Sequence, residues 1–393
     1  MDIRSVMEMS RYLLQSVDTH FVRYLYDRIH WDVELNMILG CRGVGKTTMM
    51  LQHIILSGEQ KSSLYVTAES PFFSTHTLYD TANEFYKMGG RHIYIDEVHK
   101  YPGWSREVKM MYDVLKDLQV TVSGSSMIDL IRGLEVDLSR RAVPYTLEGL
   151  SFREYLNLAH KARIEPCALE EILSGNVQLP RELGRPLPLF AEYMRRGYYP
   201  FFNRRDYYLL LDNVVSQTLE VDIPQQTNMS LSTARKLKRL MSVLAQSTPF
   251  KPNYSNLGRV LEVNRTTVAD MLAYIERAGL LRGLREADDI MDQFAKIEKV
   301  YLSNPNLCYS LCDTEPDKGT LRETFFFSQM AVNHKVVAAP MGDFIVDGHT
   351  FEVGGRNKKG KQVSDIEDAF IVKDDIEFGY MNVIPLWTFG LNY

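Results

Sequence analysis

At 393 residues the chain has room for two or three domains, and 45% hydrophobic with 24% charged residues is the composition of a folded globular protein. A net charge of −5 excludes a general attraction to nucleic acid, so any such contact needs a local basic patch. Four scattered cysteines (Cys41, Cys167, Cys308 and Cys312) form neither a disulfide framework nor a paired zinc motif, and no apolar run reaches the roughly 18 residues of a membrane span.

In chain order, residues 1–31 form an amphipathic lead-in, with Leu13, Leu14, Phe21, Val22, Leu25 and Tyr26 at roughly helical spacing. Asp2, Arg4 and Glu8 interrupt what a signal peptide would keep apolar, and the expectation is a cytoplasmic protein without a membrane partner. Strand-like runs near 34–39, 62–68, 91–96, 118–123 and 142–147 then alternate with helical patterns near 46–57, 74–88, 104–117 and 126–133. Such alternation predicts an α/β fold with a parallel sheet covered by helices on both faces.

The first strand-to-helix junction reads Gly40-Cys41-Arg42-Gly43-Val44-Gly45-Lys46-Thr47, with Thr48 in the opening helix. This is the G-x-x-x-x-G-K-[ST] phosphate loop in the context it requires. Its glycines let successive N–H groups converge on one phosphate, and the positive end of the following helix adds to that field. Lys46 is expected to reach the β- and γ-phosphates, and the Thr47 hydroxyl to ligate Mg²⁺. Residues 40–48 are thus the expected binding site for a nucleoside triphosphate.

The third strand, His92-Ile93-Tyr94-Ile95, ends in Asp96-Glu97, an acidic pair about 50 residues beyond the loop. That is what a Walker B element needs: Asp96 to hold Mg²⁺ through water and Glu97 to orient and deprotonate the attacking water. The fourth strand ends in Ser123-Gly124-Ser125-Ser126, where Ser123, or Ser125 as the alternative, can sense the γ-phosphate; such clusters also end strands simply to turn. Arg140-Arg141 precedes the fifth strand, either as an arginine finger across a subunit boundary or as a solvated pair at a helix C-terminus.

From Ser151 the texture turns helical and rich in Leu, Arg and Tyr, with breaks at Arg195-Arg196-Gly197-Tyr198-Tyr199-Pro200 and Asp222-Ile223-Pro224. Ser255 can cap a short helix to Glu262, and Asn264 a longer one presenting Val268, Leu272 and Ile275 and stopping at Gly279. That is a helix-turn-helix with a wing after Leu281, and Arg265, Thr266 and Thr267 open its second helix. Residues 251–285 hold six basic and three acidic side chains, so DNA contact and a mere packing role both remain open. In the last hundred residues Glu323 sits in a helical stretch, and strands Asp343–Val346 and Thr350–Val353 meet at the hairpin signal Asp347-Gly348. An apolar strand is expected from Val383 to Phe389.

The sequence resembles prokaryotic ATPases of the AAA+ superfamily, in the group whose ATPase module precedes a C-terminal domain of unknown function. Gly40–Thr48, Ile93–Val98, Ser123–Ser126, Leu150–Tyr155, Glu192–Pro200, Asp222–Pro224 and Pro385-Leu386-Trp387 carry the likeness. The resemblance implies ATP as the nucleotide and places Arg141 at the arginine of a Gly-Arg finger, although Arg140 occupies the glycine position. The last hundred residues resemble the PD-(D/E)xK nuclease superfamily, with Glu323, Asp343 and Glu352 at the metal-binding carboxylates. Gly354 replaces its lysine, while Lys358, Lys359 and Lys361 lie nearby, so the resemblance implies an inactive nuclease fold.

Together these readings give a P-loop NTPase parallel sheet (1–150), a helical lid or linker (151–245), a winged helix-turn-helix (246–290) and a small α/β restriction-endonuclease-like domain (291–393). The expected function is an ATP-hydrolysing switch or motor, with a homo-oligomer as one open form, whose C-terminal modules recognise DNA or a protein partner. The alternatives are an ATP-dependent nuclease and a non-hydrolysing ATP-binding scaffold.

Overall fold

The structure, a computed structural model, describes residues 2–125, 130–131, 133–227, 229–247, 249, 251–286, 297–312, 314–360, 362–364 and 366–393. It divides into two compact units, Met1–Glu148 and Gly149–Tyr393.

The first unit opens with helix α1 (Ile3–Leu14), whose N-terminus is capped by Asp2 accepting a hydrogen bond from the Ser5 amide at 2.9 Å. Within the lead-in the α-helix ends at Leu14, and Tyr26–Arg28 form a short 3-10 turn. Strands β1 (Leu35–Leu39), β2 (Ser63–Thr67), β3 (His92–Asp96), β4 (Gln119–Gly124) and β5 (Val143–Thr146) alternate with helices α2 (Lys46–Leu56), α3 (Leu78–Lys87) and α4 (Trp104–Val114). The five strands pair parallel in the order β2-β3-β4-β1-β5, an α/β P-loop NTPase sheet. All residues of β1 and β3 are buried, as expected of central parallel strands covered on both faces, whereas edge strand β5 is largely exposed. Met37, Leu39, Ile93, Ile95, Val120 and Val122 from the sheet join Phe72, Phe85, Val108 and Met111 in one core. Helix α3 starts at Leu78, later than its pattern suggests, because Pro71–Ser74 form a separate 3-10 turn and Thr77 caps the helix. Of the helix expected over 126–133, residues 126–129 and 132, Ser126 among them, lie outside the described residues.

The second unit begins with helices α5 (Phe152–His160), α6 (Leu169–Leu173), α7 (Pro186–Arg196), α8 (Tyr207–Gln217), α9 (Ile223–Thr227) and α10 (Leu231–Ser247). A capping box between Ser151 and Glu154 starts α5. Helices α11 (Tyr254–Leu261) and α12 (Arg265–Arg277) follow, then the antiparallel pair β6 (Leu281–Arg285) and β7 (Ile297–Leu302). Asn264 caps α12 by accepting from the Thr267 amide at 2.7 Å, and Gly279 ends it at φ +77°. Helix α11 starts one residue before Ser255, because the Asn253 side chain, not Ser255, accepts the orphan amide of Asn256 at 2.9 Å. Residues 287–296, where the tip of the expected wing falls, lie outside the described residues, as does Lys361.

Helices α13 (Pro305–Leu311) and α14 (Lys318–Met330) lead into a mixed sheet of β8 (Val336–Ala338), β9 (Phe344–Val346), β10 (His349–Gly354), β11 (Ala369–Lys373) and β12 (Val383–Pro385). The β9–β10 hairpin turns on Asp347 and Gly348, both at positive φ. The strand expected to run to Phe389 stops at Pro385, which has no N–H to continue a ladder, and Leu386–Leu391 wind into a buried 3-10 turn. Buried Asn306 is the polar hub of this unit. It accepts from the Tyr198 amide (2.8 Å) and the Tyr207 hydroxyl (2.5 Å), and donates to the carbonyls of Tyr193 (3.1 Å) and Met194 (2.8 Å). The Tyr393 main-chain oxygen accepts from Ser151 Oγ at 2.5 Å and Arg153 Nε at 2.8 Å, which draws Leu150–Tyr155 and the residues after Pro385 together.

Candidate nucleotide site

The phosphate loop leaves the buried end of β1 and enters α2. At Gly40 a Cβ would come within 2.4 Å of the Leu147 carbonyl oxygen, a backbone atom that cannot swing aside. Gly45, at φ +103°, holds a left-handed conformation that L side chains rarely adopt. Both glycines are thus demanded by geometry. The Lys46 ammonium curls back to donate to the carbonyls of Gly40 (2.7 Å) and Cys41 (3.0 Å). Burial pushes its pKa down, against the opposing pull of the Glu97 and Asp96 carboxylates.

Asp96, 3% exposed at the end of β3, is the electrostatic centre of the site. Its Oδ2 accepts from Thr47 Oγ1 at 2.5 Å and from the Tyr65 hydroxyl at 2.8 Å. Its Oδ1 accepts from Ser123 Oγ and, at 3.0 Å, from the Glu97 amide. Four donors saturate this carboxylate, which is how a buried anion is kept in place. Desolvation first, and then the neighbouring Asp96 charge, raises the Tyr65 phenol above its ordinary range, so it remains a donor.

Glu97 sits at φ +49°, an uncommon conformation for a side chain of its kind, which turns its carboxylate towards β4. There Oε2 accepts from Ser125 Oγ at 3.0 Å and from the Ser125 amide at 3.3 Å, and His99 Nδ1 lies 3.5 Å away. The structure therefore divides the two serines: Ser123 serves Asp96 and Ser125 serves Glu97. Parallel register explains the convergence, since Ile38 pairs with Ser123 and Thr67 with Asp96, bringing the C-terminal ends of β1, β3 and β4 to one edge.

Three neighbours have no motif signal. Tyr65 lies inside an ordinary strand run, and His99 two residues past the acidic pair. Buried Arg23 donates to the carbonyl of Val44 in the phosphate loop and, at 2.7 Å, to that of Glu148. Tyr65 and Arg23 reach the site only through contacts between distant parts of the chain.

Arg141 is not among the residues gathered there. It makes a bidentate pair with Asp113 of its own chain at 3.0 and 3.2 Å and lies 5.7 Å from the Tyr112 ring centroid, while Arg140 is exposed. The Asp113 carboxyl is held below its usual range, first by the hydrogen bond from Arg141.

In the second unit Arg265 and Thr266 are exposed at the start of α12, Thr267 is half-buried, and Arg265 lies 5.9 Å from the Tyr254 ring centroid. Two of the basic residues counted there are engaged internally, Arg285 with Glu276 at 2.7 Å and Lys251 with Glu298. Helix α10 adds a basic run, Arg235, Lys236, Lys238 and Arg239, legible in the sequence as R-K-x-K-R. Glu323 on α14, Asp343 before β9 and Glu352 on β10 are brought into one region, but each is engaged by a lysine: Lys299 approaches Glu323 (3.5 Å) and Asp343 (3.8 Å), and Lys358 approaches Glu352 (3.0 Å).

Comparison with known proteins agrees with the first unit. Residues 33–156 match the family described as AAA domain, and residues 187–318 match a domain of unknown function, DUF8612. Residues 33–156 are accordingly a P-loop module of the AAA ATPase type. The protein MJ1637 of Methanocaldococcus jannaschii is 25% identical over 267 residues, which cover 63% of this chain and 56% of that protein. The chain thus spans just over half the length of that relative. Among solved structures, the Walker-type ATPase PABY2304 of Pyrococcus abyssi aligns with a TM-score of 0.43 and 15% identity, covering 71% of this chain and 91% of that one. AMPPCP-bound DnaA from Aquifex aeolicus aligns with a TM-score of 0.28 and 13% identity, covering 69% and 88%. Among the described residues no helix is long and apolar enough to cross a membrane.

Proposed function

We propose that the chain is an ATP-hydrolysing switch or motor whose C-terminal segments recognise a partner, DNA or a protein. The observation that carries the reading is the junction of Thr47, Asp96 and Ser123 beside a phosphate loop, with a second carboxylate, Glu97, held separately within the same site.

ATP is the substrate. The amides of residues 40–47 and the N-terminus of α2 cradle its phosphates, and Lys46 leaves the loop carbonyls for the β- and γ-phosphates. The donor set fits Mg²⁺, since Thr47 and Asp96 are hard oxygen ligands already in contact, and these two residues would hold it. Mg²⁺ held there would supply positive charge against the phosphates. Ser123 fixes the Asp96 carboxylate that serves it. Glu97 orients the attacking water and takes its proton, and Ser125 and His99 set the resting direction of that carboxylate. Arg141 serves a neighbouring subunit only after release from Asp113. A steady-state rate that is measurable but unchanged by Lys46→Ala refutes the hydrolytic reading.

The partner reading rests on α10 to β7, whose helix-turn-helix order and wing-like strand pair leave Arg265, Thr266 and the basic face of α10 exposed or half-buried. ATPase rates with and without single- and double-stranded DNA test it. Stimulation lost in Arg265→Ala supports DNA as partner, and a rate indifferent to both DNAs directs the search to a protein.

A further inference from the structure

Carboxylates on one helix and two strands are the donor set of a divalent-cation site, and Glu323, Asp343 and Glu352 supply it in sequence. The structure spends those oxygens otherwise. Lys299 projects from β7 between two of them, 3.5 Å from Glu323 Oε2 and 3.8 Å from Asp343 Oδ1. The Tyr301 hydroxyl, two residues along the same strand, donates to Glu323 Oε2 at 2.7 Å. The Val353 amide donates to Asp343 Oδ2 at 2.8 Å. Lys358 reaches Glu352 Oε1 at 3.0 Å from the segment after β10, and its side chain packs over Gly354, where a Cβ would meet it at 2.7 Å. Glu352 Oε2 is buried and has no hydrogen-bond partner among the described residues. A hard divalent ion needs several oxygens at about 2.0–2.6 Å, and an ammonium seated between two of them repels it and fills its space. Among the described residues no group of three or more acidic, histidine or cysteine side chains is arranged to hold a metal.

We infer that Lys299 and Lys358 take the place of a divalent cation in this carboxylate cluster, which therefore ties strand β7 to helix α14 and the β9–β10 hairpin instead of supporting metal-dependent cleavage. Burial first, and then the Asp343 charge, pushes the Glu323 carboxyl up, and Lys299, beside both carboxylates, opposes that cost from within the chain. The consequence is mechanical. β7 is hydrogen-bonded to β6, so the strut fixes the strand pair that follows α12. The inference does not depend on ATP hydrolysis, and its test uses no nucleotide.

The test is Mn²⁺ binding to the full chain, read by loss of the free-ion electron paramagnetic resonance signal. Wild type is expected to bind no Mn²⁺ that Asp343→Asn removes. The double variant Lys299→Met, Lys358→Met keeps the apolar stems and is expected to gain at least about tenfold in Mn²⁺ affinity, a gain that added Asp343→Asn abolishes. Wild-type binding abolished by Asp343→Asn overturns the inference, and so does a folded double variant with no gain. If circular dichroism shows the double variant unfolded, the two single variants are read in the same way. A gel assay adds an independent arm: wild type with Mn²⁺ leaves plasmid DNA uncut, and cleavage that disappears in Glu352→Ala refutes the strut.

Discussion

Replacing Glu97 by Gln separates nucleotide binding from turnover. Glu97 Oε2 accepts two hydrogen bonds from Ser125, at 3.0 and 3.3 Å, and a glutamine carbonyl oxygen can accept both. The backbone at φ +49° is unaffected by an isosteric side chain, and Lys46, Thr47 and Asp96 keep their own partners. What disappears is a negative charge and the ability to take a proton. Loss of general-base catalysis typically costs a factor of about 10²–10⁴, or roughly 3–5 kcal/mol of barrier. The expected result is ATP affinity within about threefold of wild type, by fluorescent-nucleotide titration, with hydrolysis slowed at least about 100-fold. Phosphate release from purified protein is the assay, with Lys46→Ala as the blank. Turnover near wild type in Glu97→Gln would refute the base assignment. Binding and turnover lost together would show instead that Glu97 helps to hold the loop.

Lys46→Ala is expected to abolish measurable ATP binding, because it removes the ammonium that opens α2 and that the β- and γ-phosphates would meet; unchanged affinity in the same titration removes the phosphate-loop assignment. Arg141→Ala breaks the pair with Asp113 and is expected to leave ATP affinity intact while slowing hydrolysis, with partial rescue on mixing with Lys46→Ala chains. A protein that stays monomeric with ATP in light scattering excludes the in-trans version. Tyr65→Phe removes one charge-assisted donor from buried Asp96 and is expected to lower stability by about 1.5–3 kcal/mol in urea unfolding; a midpoint equal to wild type contradicts the saturated carboxylate. His53 and His92, joined through the Tyr94 hydroxyl at 2.6 and 2.9 Å, give the pH dependence. Burial pushes their pKa values down to about 4 and about 3 from 6.5, so the unfolded chain binds protons that the folded one refuses. Stability is therefore full above pH 6.5 and falls as the pH drops towards 4, by about 2 kcal/mol at pH 5 for His53 alone, and an unfolding midpoint flat from pH 7 to 5 excludes the neutral pair.

The sequence by itself determined the parts whose physics is local. An apolar run, a glycine loop and an amphipathic helix in immediate succession define the phosphate loop, because the backbone N–H groups that converge there belong to consecutive residues. Alternating strands and helices likewise foretold the parallel sheet, and Asp347-Gly348 the hairpin, since periodicity and turn chemistry act within a few residues. Helix starts were legible where one side chain stood ready to cap, as at Asn264, and shifted where two competed, as at Asn253 and Ser255. Only the tertiary structure decided which side chains meet across the sheet. Tyr65, Ser123 and Thr47 reach Asp96 across 27 to 49 residues of chain, and strand register, not any local pattern, puts them within hydrogen-bond distance. The same holds for Arg23 on the phosphate loop and for Lys299 between Glu323 and Asp343. A motif can name the carboxylates of a site, but the charge that neutralises them comes from wherever the fold brings a cation close enough, and Coulomb's law has no preference for sequence neighbours.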